Sequence, residues 1–160
     1  MIILTGKKEQ KAFEYINKAA EVAKQSNCFR SKCGSIVVKN NKIIGVGFNN
    51  PPQNSCLQEC RKDFLPKDFK SDKTCCVHAE QRAIIDALKK HPTKIKNSTL
   101  YFIRLGEKNK PVEAGNPYCT ICSKMALDTG IKYFVLWHKK GVAVYNTKEY
   151  NELSFQYVGD

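Results

Sequence analysis

CVHAEQRAIIDALKK, residues 76–90, decides the fold. Ala79, Ala83, Ile84 and Leu88 recur at helical spacing, and His91–Pro92 ends the run. The stretch therefore reads as an amphipathic helix from about His78 to Lys90. Its first turn carries His78 and Glu80, at the point where the helix begins. Further on, PYCTIC at 117–122 opens another helix, from Cys119 to about Thr129, closed by Gly130 as a C-cap. Two helix starts thus carry a histidine, a carboxylate and a C-x-x-C pair.

The elements around these helices follow from pattern. Residues 8–25 form an amphipathic helix, with Ala12, Ile16, Ala19, Ala20 and Ala23 on its apolar face. SIVVKNNKIIGVGF gives two apolar segments about a turn at Lys39–Asn41, where Asn40 and Asn41 suit hairpin dihedrals. Residues 98–104 and 131–137 read as strands, and 141–145 as a further one. The order helix, two strands, helix, strand, helix, strand predicts an α/β chain, a mixed sheet with helices packed on it. One domain is expected over 1–160. It carries an irregular insertion at about 50–77, rich in Pro, Asn, Asp and Cys, and a connection this long needs a function or a clamp.

Composition narrows the class. The chain has 160 residues, 42% apolar and 26% charged, which suits a folded domain and not a disordered one. No run of about 18 apolar residues predicts a membrane span. MIILTGKKEQ lacks the core of a secretory signal, so a cytoplasmic location is expected. The net charge of +12 suits a phosphate-bearing ligand or a nucleic acid, and equally a solvated lysine surface. Eight cysteines without a secretory leader point to metal ligation in preference to disulfides.

His78, Cys119 and Cys122 form a zinc ligand set, one histidine and two thiolates, with a fourth position left for water. C-x-x-C lets one turn of backbone offer both sulfurs to one ion. Helix starts favour thiolates through their unpaired N–H groups. A lone C-x-x-C is also a redox or structural signal, and a lone His-x-Glu is weaker still. Their occurrence together, each at a helix start, makes the metal reading specific. Residues two apart on a helix face differently, so His78 and Glu80 can converge only if the helix start itself points into the site.

His78-Ala79-Glu80 followed by Pro117, Cys119 and Cys122 resembles the cytidine and deoxycytidylate deaminase superfamily. GSIVVKNNKIIGVGFNNPP, HAEQRAI, STLYF and LDTGIKYFVL extend the resemblance over most of the chain, toward the deoxycytidylate branch. It implies a three-layer α/β/α fold about a five-stranded mixed sheet, and one catalytic zinc on His78, Cys119 and Cys122. Glu80 then moves protons from water to the ring nitrogen and the departing amine. The substrate-binding residues it implies are Asn49, Ala79, Arg82 and Tyr118, and an asparagine at 49 also suits a simple turn. A homo-oligomer is implied as well. The chain departs from the family pattern at Tyr118, which separates Pro117 from Cys119, and at Arg82, where deoxycytidylate enzymes often carry asparagine. Its loop at 105–116 is long beside the small tRNA-editing enzymes.

The expected reaction is hydrolytic deamination of a cytosine nucleotide, dCMP to dUMP plus ammonia. Alternatives are a nucleoside, a free base, or adenosine or cytidine within tRNA or another nucleic acid. The non-enzymatic rival is a zinc-stabilised nucleic-acid-binding protein, which gains little from a carboxylate over open zinc. Arg61, Lys62, Lys67, Lys70 and Arg82 are candidates to meet a phosphate, and Tyr118 and Phe48 to stack on a base. A second, structural zinc is open to Cys56, Cys60 and Cys75 with Cys28 or Cys33. Cys33 also reads as a buried apolar thiol, and Cys76 as packing behind the catalytic metal.

Overall fold

The structure, a computed structural model, describes residues 1–66 and 75–157. Lys67 and Lys70 lie outside the described residues. The elements are β1 (Ile2–Ile3), α1 (Gly6–Ala23), β2 (Lys32–Lys39), β3 (Lys42–Phe48), α2 (Ala79–Lys90), β4 (Thr99–Leu105), β5 (Pro111–Val112), α3 (Thr120–Asp128), β6 (Tyr133–His138), β7 (Gly141–Asn146) and α4 (Thr147–Gln156). Among the described residues no helix is long and apolar enough to cross a membrane.

Among the described residues the sheet has seven strands, not the expected five, in the order β1-β7-β6-β4-β2-β3 with β5 beside β4. Its five long strands are those read from the sequence. The two additions are two-residue strands, too short to show alternation. β1 pairs with β7 at Ile2↔Val144, and β5 pairs with β4 at Arg104↔Val112, beyond the Thr99–Tyr101 stretch of β4 that β6 occupies. β4 and β6 run parallel and the other pairings are antiparallel. The parallel pair is joined by a crossover through α3, as such a pair requires.

Helices cover both faces. α1 buries Ala12, Ile16, Ala19 and Ala23 against Ile36, Val38, Ile103 and Val135. The opposite face holds Val37, Leu100, Phe134 and Leu136 against Ala83 and Ile84 of α2, Ala126 of α3 and Tyr150 of α4. The alternation along β2 is therefore direct: Ile36 and Val38 face α1, while Val37 faces the other layer. Gly34 joins the α1 side, since a Cβ there would lie 2.1 Å from the Ala19 carbonyl oxygen. Cys33, one residue earlier, is turned to the layer of α2.

The Asn40–Asn41 turn has positive φ at both residues (48° and 61°), as a two-residue hairpin demands. Gly130, at φ +77°, closes α3, with its N–H donating to Leu127 O at 2.9 Å. α2 sits unusually close to β3. A Cβ at Gly45 would fall 2.3 Å from Ala83 O, and one at Gly47 2.3 Å from Ala79 O. These two bare positions let the start of α2 lie on the sheet, and they fix where His78 and Glu80 emerge.

Candidate metal centre and active site

The starts of α2 and α3 meet on one side of the sheet. His78 is the N-cap of α2, with extended backbone (φ −69°, ψ 153°). The two-residue spacing to Glu80 is therefore not a helical one, and both side chains reach the same place. The Gln81 Oε1 accepts from the His78 N–H at 3.0 Å and holds the cap. Cys119 is the N-cap of α3, and its sulfur accepts from the Cys122 N–H at 3.4 Å. His78 Nδ1 lies 3.3 Å from each of the Cys119 and Cys122 sulfurs. All three ligand atoms lie within 4.8 Å of one another.

This donor set fits zinc. A tetrahedral ion ~2.0–2.1 Å from nitrogen and ~2.3 Å from sulfur sets those atoms ~3.6 Å apart. The observed separations need only a slight opening. The charges agree as well. The Cys119 thiol is held down to about 4 by the hydrogen bond from Cys122, with His78 adding to the effect. The same bond, with burial, pushes Cys122 up. His78 is raised by its bond to Cys119, against burial and the Lys62 charge. A dication bound here would take both sulfurs as thiolates and the ring as neutral imidazole.

Glu80 lies beside this cluster and is 5% exposed. Burial raises its carboxyl to about 7, with the His78 charge pulling the other way. Cys33 also reaches the site, its thiol pushed up to about 12 by burial and then by the Glu80 charge. Both line a cavity of about 1040 Å³ that runs over His78, Cys119, Ala79 and Asn49.

The expected substrate residues divide. Ala79 is fully buried at the cavity floor, and Tyr118 is 52% exposed at its rim, edge to face with Tyr157 at 5.0 Å. The Asn49 side chain is held by three bonds: its Oδ1 accepts from Ser26 Oγ at 2.9 Å and Cys33 N at 2.7 Å, and its Nδ2 donates to Ser31 O at 2.8 Å. Arg82 is turned elsewhere. Its guanidinium donates to Pro51 O at 2.7 Å and Asn54 Oδ1 at 2.8 Å and sits over the Phe48 ring. It ties the start of the cysteine-bearing segment to α2, and it is not among the residues that line the cavity.

Sequence reasoning missed the far wall. His138, Tyr145 and Tyr150 line it, with Tyr145 OH 2.9 Å from His138 Nε2 and Tyr150 stacked on Phe134 at 3.9 Å between centroids. Tyr150 arrives on α4, a helix absent from the pattern reading. Its signal is Asn146 followed three residues later by Glu149, the start of a capped helix. The Asn146 side chain does cap α4, accepting from the Lys148 N–H at 3.0 Å.

All eight cysteines are described and none forms a disulfide. Cys28, Cys56, Cys60, Cys75 and Cys76 line a second cavity of about 280 Å³. Cys60 and Cys75 have their sulfurs 3.8 Å apart. Cys76 is pushed up to about 12 by burial, with Cys28 and Cys75 both bonded to it. Cys33 lines the catalytic cavity and is not among the residues lining the smaller one, in keeping with the alternation along β2. Cys76 is bonded to Cys28 and Cys75 and lines both cavities.

A three-ligand centre of zinc type, open to a cavity and flanked by a buried carboxylate on an α/β/α scaffold, defines the class of the protein. A sequence profile of the cytidine and deoxycytidylate deaminase zinc-binding region matches residues 8–138. The chain belongs to that family. It is 27% identical to the deoxycytidylate deaminase of Saccharomyces cerevisiae over 76% of this chain and 35% of that protein. The chain thus spans about a third of that relative's length. The deoxycytidylate deaminase of Mycobacterium phage D29 is 29% identical over 76% of this chain and 89% of its own. Among solved structures, dCMP deaminase of the cyanophage S-TIM5 in complex with dCMP and dUMP is similar with a TM-score of 0.55, at 27% identity over 82% of each chain.

Proposed function

We propose that the chain catalyses hydrolytic deamination of a cytosine nucleotide, converting dCMP and water to dUMP and ammonia. The observation that carries this reading is Glu80, a buried carboxylate beside the His78–Cys119–Cys122 cluster at the floor of an open cavity. The deoxycytidylate deaminases to which the chain is similar support the substrate. Zinc held by the three ligands supplies a Lewis acid that makes water nucleophilic near neutral pH. Glu80 accepts the proton that water loses and passes it to the pyrimidine N3 as the oxygen bonds to C4. It then takes the proton of the new C4 hydroxyl and delivers it to the amino group, and the C4–N bond breaks to release ammonia. A carboxyl poised near 7 can hold and release a proton in turn. Ala79, at the first turn of α2, offers backbone to the base edge. Asn49 contacts the sugar, and Tyr118 covers the ring from the rim.

A second, structural zinc completes the proposal, on Cys28, Cys60, Cys75 and Cys76, whose sulfurs would have to draw together on binding, since among the described residues only His78, Cys119 and Cys122 have all their ligand atoms within 4.8 Å of one another. Two thiolates ~2.3 Å from one tetrahedral ion lie ~3.8 Å apart, and the Cys60 and Cys75 sulfurs are 3.8 Å apart. A disulfide needs ~2.05 Å. Cys56 is exposed and stands outside the set.

The test is conversion of dCMP to dUMP by zinc-loaded protein, followed by mass, with Glu80→Gln alongside. Conversion by wild type and a loss of roughly 10²–10⁴-fold in the variant is expected. No conversion by zinc-loaded wild type overturns the substrate. A zinc-to-protein ratio near two is expected at full loading, and a ratio near one removes the structural site.

A further inference from the structure

Cys119 has to be placed closely, yet the chain that leads to it carries little regular bonding. The Ala114 N–H donates to Trp137 O at 2.8 Å, and the Ser123 N–H donates to Cys119 O at 3.0 Å. Between them, among the described residues, no backbone-to-backbone bond holds residues 115–118. Gly115 takes φ +55°, and Pro117 has no N–H to give. Cys119 is itself an N-cap with extended backbone (φ −88°, ψ 103°), so it stands outside the regular bonding of α3.

α4 supplies what this stretch lacks. It begins at Thr147, beyond the residues 8–138 that the family profile matches. Its Asn151 and Ser154 meet α3: Ser123 Oγ donates to Asn151 Oδ1 at 2.8 Å and lies 3.3 Å from Ser154 Oγ. Ser123 and Ser154 are buried, and a buried polar seam of this kind rigidifies the two helices in one arrangement. One turn before Ser154, the Tyr150 ring is stacked on Phe134 at 3.9 Å and edge to face with Tyr145 at 5.7 Å. Burial, then the Glu80 charge, keeps its phenol un-ionised, and the Tyr118 backbone N–H donates to the phenol oxygen. At the end of α4 the Tyr157 ring meets the Tyr118 ring edge to face at 5.0 Å. Tyr118 is thus caught twice, by its backbone and by its ring. It is also the residue by which the chain departs from the family pattern.

We infer that Tyr150 is a positioning residue of the metal centre: its hydroxyl, set by the ring stack and the α3–α4 seam, tethers the peptide of Tyr118 and so orients Cys119. The inference rests on the reading of His78, Cys119 and Cys122 as a metal centre, and its effect on turnover rests on the deaminase reading. Tyr150 acts through Tyr118 and Cys119, not on the substrate. Without the tether, Cys119 stands at the end of four residues that no backbone bond holds. A metal tolerates that in affinity more readily than in geometry, since three ligands still close on it while the position of one sulfur drifts.

The test is Tyr150→Phe, which keeps the ring and its stack on Phe134 and removes the hydroxyl alone. Tyr145→Phe is the control, since it deletes a neighbouring hydroxyl that is bonded to His138 Nε2 at 2.9 Å. Both are loaded with cobalt(II) in place of zinc. The absorption of thiolate-bound cobalt is read as a difference from wild type, so that any cobalt on the loop cysteines cancels. Tyr150→Phe should keep the ion on His78, Cys119 and Cys122 and shift its bands, and Tyr145→Phe should leave them in place. In the zinc-loaded proteins, Tyr150→Phe should lower kcat for dCMP roughly 10- to 100-fold with KM little changed, the usual cost of losing a group that orients a metal ligand. Unchanged cobalt bands in Tyr150→Phe overturn the inference. Equal shifts in both variants also overturn it, because they mark a general loosening of the aromatic wall. So does a rise in KM alone with the bands in place, since Tyr150 would then act on the substrate. Wild type that leaves dCMP unconverted, with bands that shift only in Tyr150→Phe, defeats the activity reading and leaves the positioning role standing.

Discussion

Two sets of cysteines face the same large cavity and are built in opposite ways. Cys119 and Cys122 stand on the first turn of α3, beside the His78 cap of α2, on helices packed into the core. Cys28, Cys60, Cys75 and Cys76 stand on irregular chain, between α1 and β2 and in the segment before α2. The first set is placed by backbone that is folded for other reasons: helix starts, a tight approach at Gly47, an apolar layer beneath. The second set has little apolar packing of its own, and Cys60 is its one deeply buried member. On the proposed second zinc, those thiols would fasten the loops that carry them.

The largest effect should come from breaking the first set. Cys119→Ser is expected to lose one zinc per chain by metal analysis and to lower dCMP deamination by at least about 10³-fold, since water without the ion stays near pKa ~15.7. The fold should persist, seen as a cooperative melting transition, because α2 and α3 remain packed on the sheet. Complete unfolding of this variant would mean that the two sets are alike in holding the structure up.

Cys75→Ser makes the converse break. The proposed second zinc should be lost, while the ion on His78, Cys119 and Cys122 should remain and activity should fall without vanishing. Limited proteolysis should now cut between residues 50 and 66, irregular chain that the proposed metal would tie down. Intact resistance to protease, with one zinc lost, would separate the metal from the ordering of the loop.

What the sequence shows and hides follows the same division. Regular elements report themselves through periodicity, so α2, α3 and the Asn40–Asn41 hairpin are legible, and with them His78, Glu80, Cys119 and Cys122. The destination of a side chain on irregular chain has no periodic signature. Cys76 stands on such chain, and the structure sets it beside Cys28 and Cys75; Cys33 stands within β2, so its side of the sheet follows only once β2 is known to begin at Lys32. Arg82 presents a charge that suits a phosphate, yet the carbonyl groups of Asn50 and Pro51 claim it. β1 and β5 escape because two residues cannot alternate.

Gly47→Ala sharpens the account of the first set. The added Cβ would lie 2.3 Å from Ala79 O and 2.3 Å from Ala83 N, both backbone atoms that cannot rotate away. α2 must then move off β3, at a cost of about 1–3 kcal/mol or more, as overpacking typically does. Thermal denaturation measures that cost, and kcat should fall with it because His78 and Glu80 ride on the displaced helix start. Stability lost without any change in kcat would show that the catalytic pair is placed by the metal and not by the helix.

The smallest effect is expected at the edge of the same rigid layer. Asn146 caps α4 through the Lys148 N–H, and α4 carries Tyr150 onto Phe134 and to the cavity wall. Asn146→Ala should cost about 1 kcal/mol, the usual worth of a cap, read by denaturant titration. Tyr150 is buried at 4% exposure, so its packing should outlast a frayed first turn, and the ion on His78, Cys119 and Cys122 should stay bound. A variant that instead loses the catalytic ion would place α4 among the supports of the first set: Ser123 of α3 bonds to Asn151 at 2.8 Å, and through that bond a shift of α4 reaches the helix that bears Cys119 and Cys122.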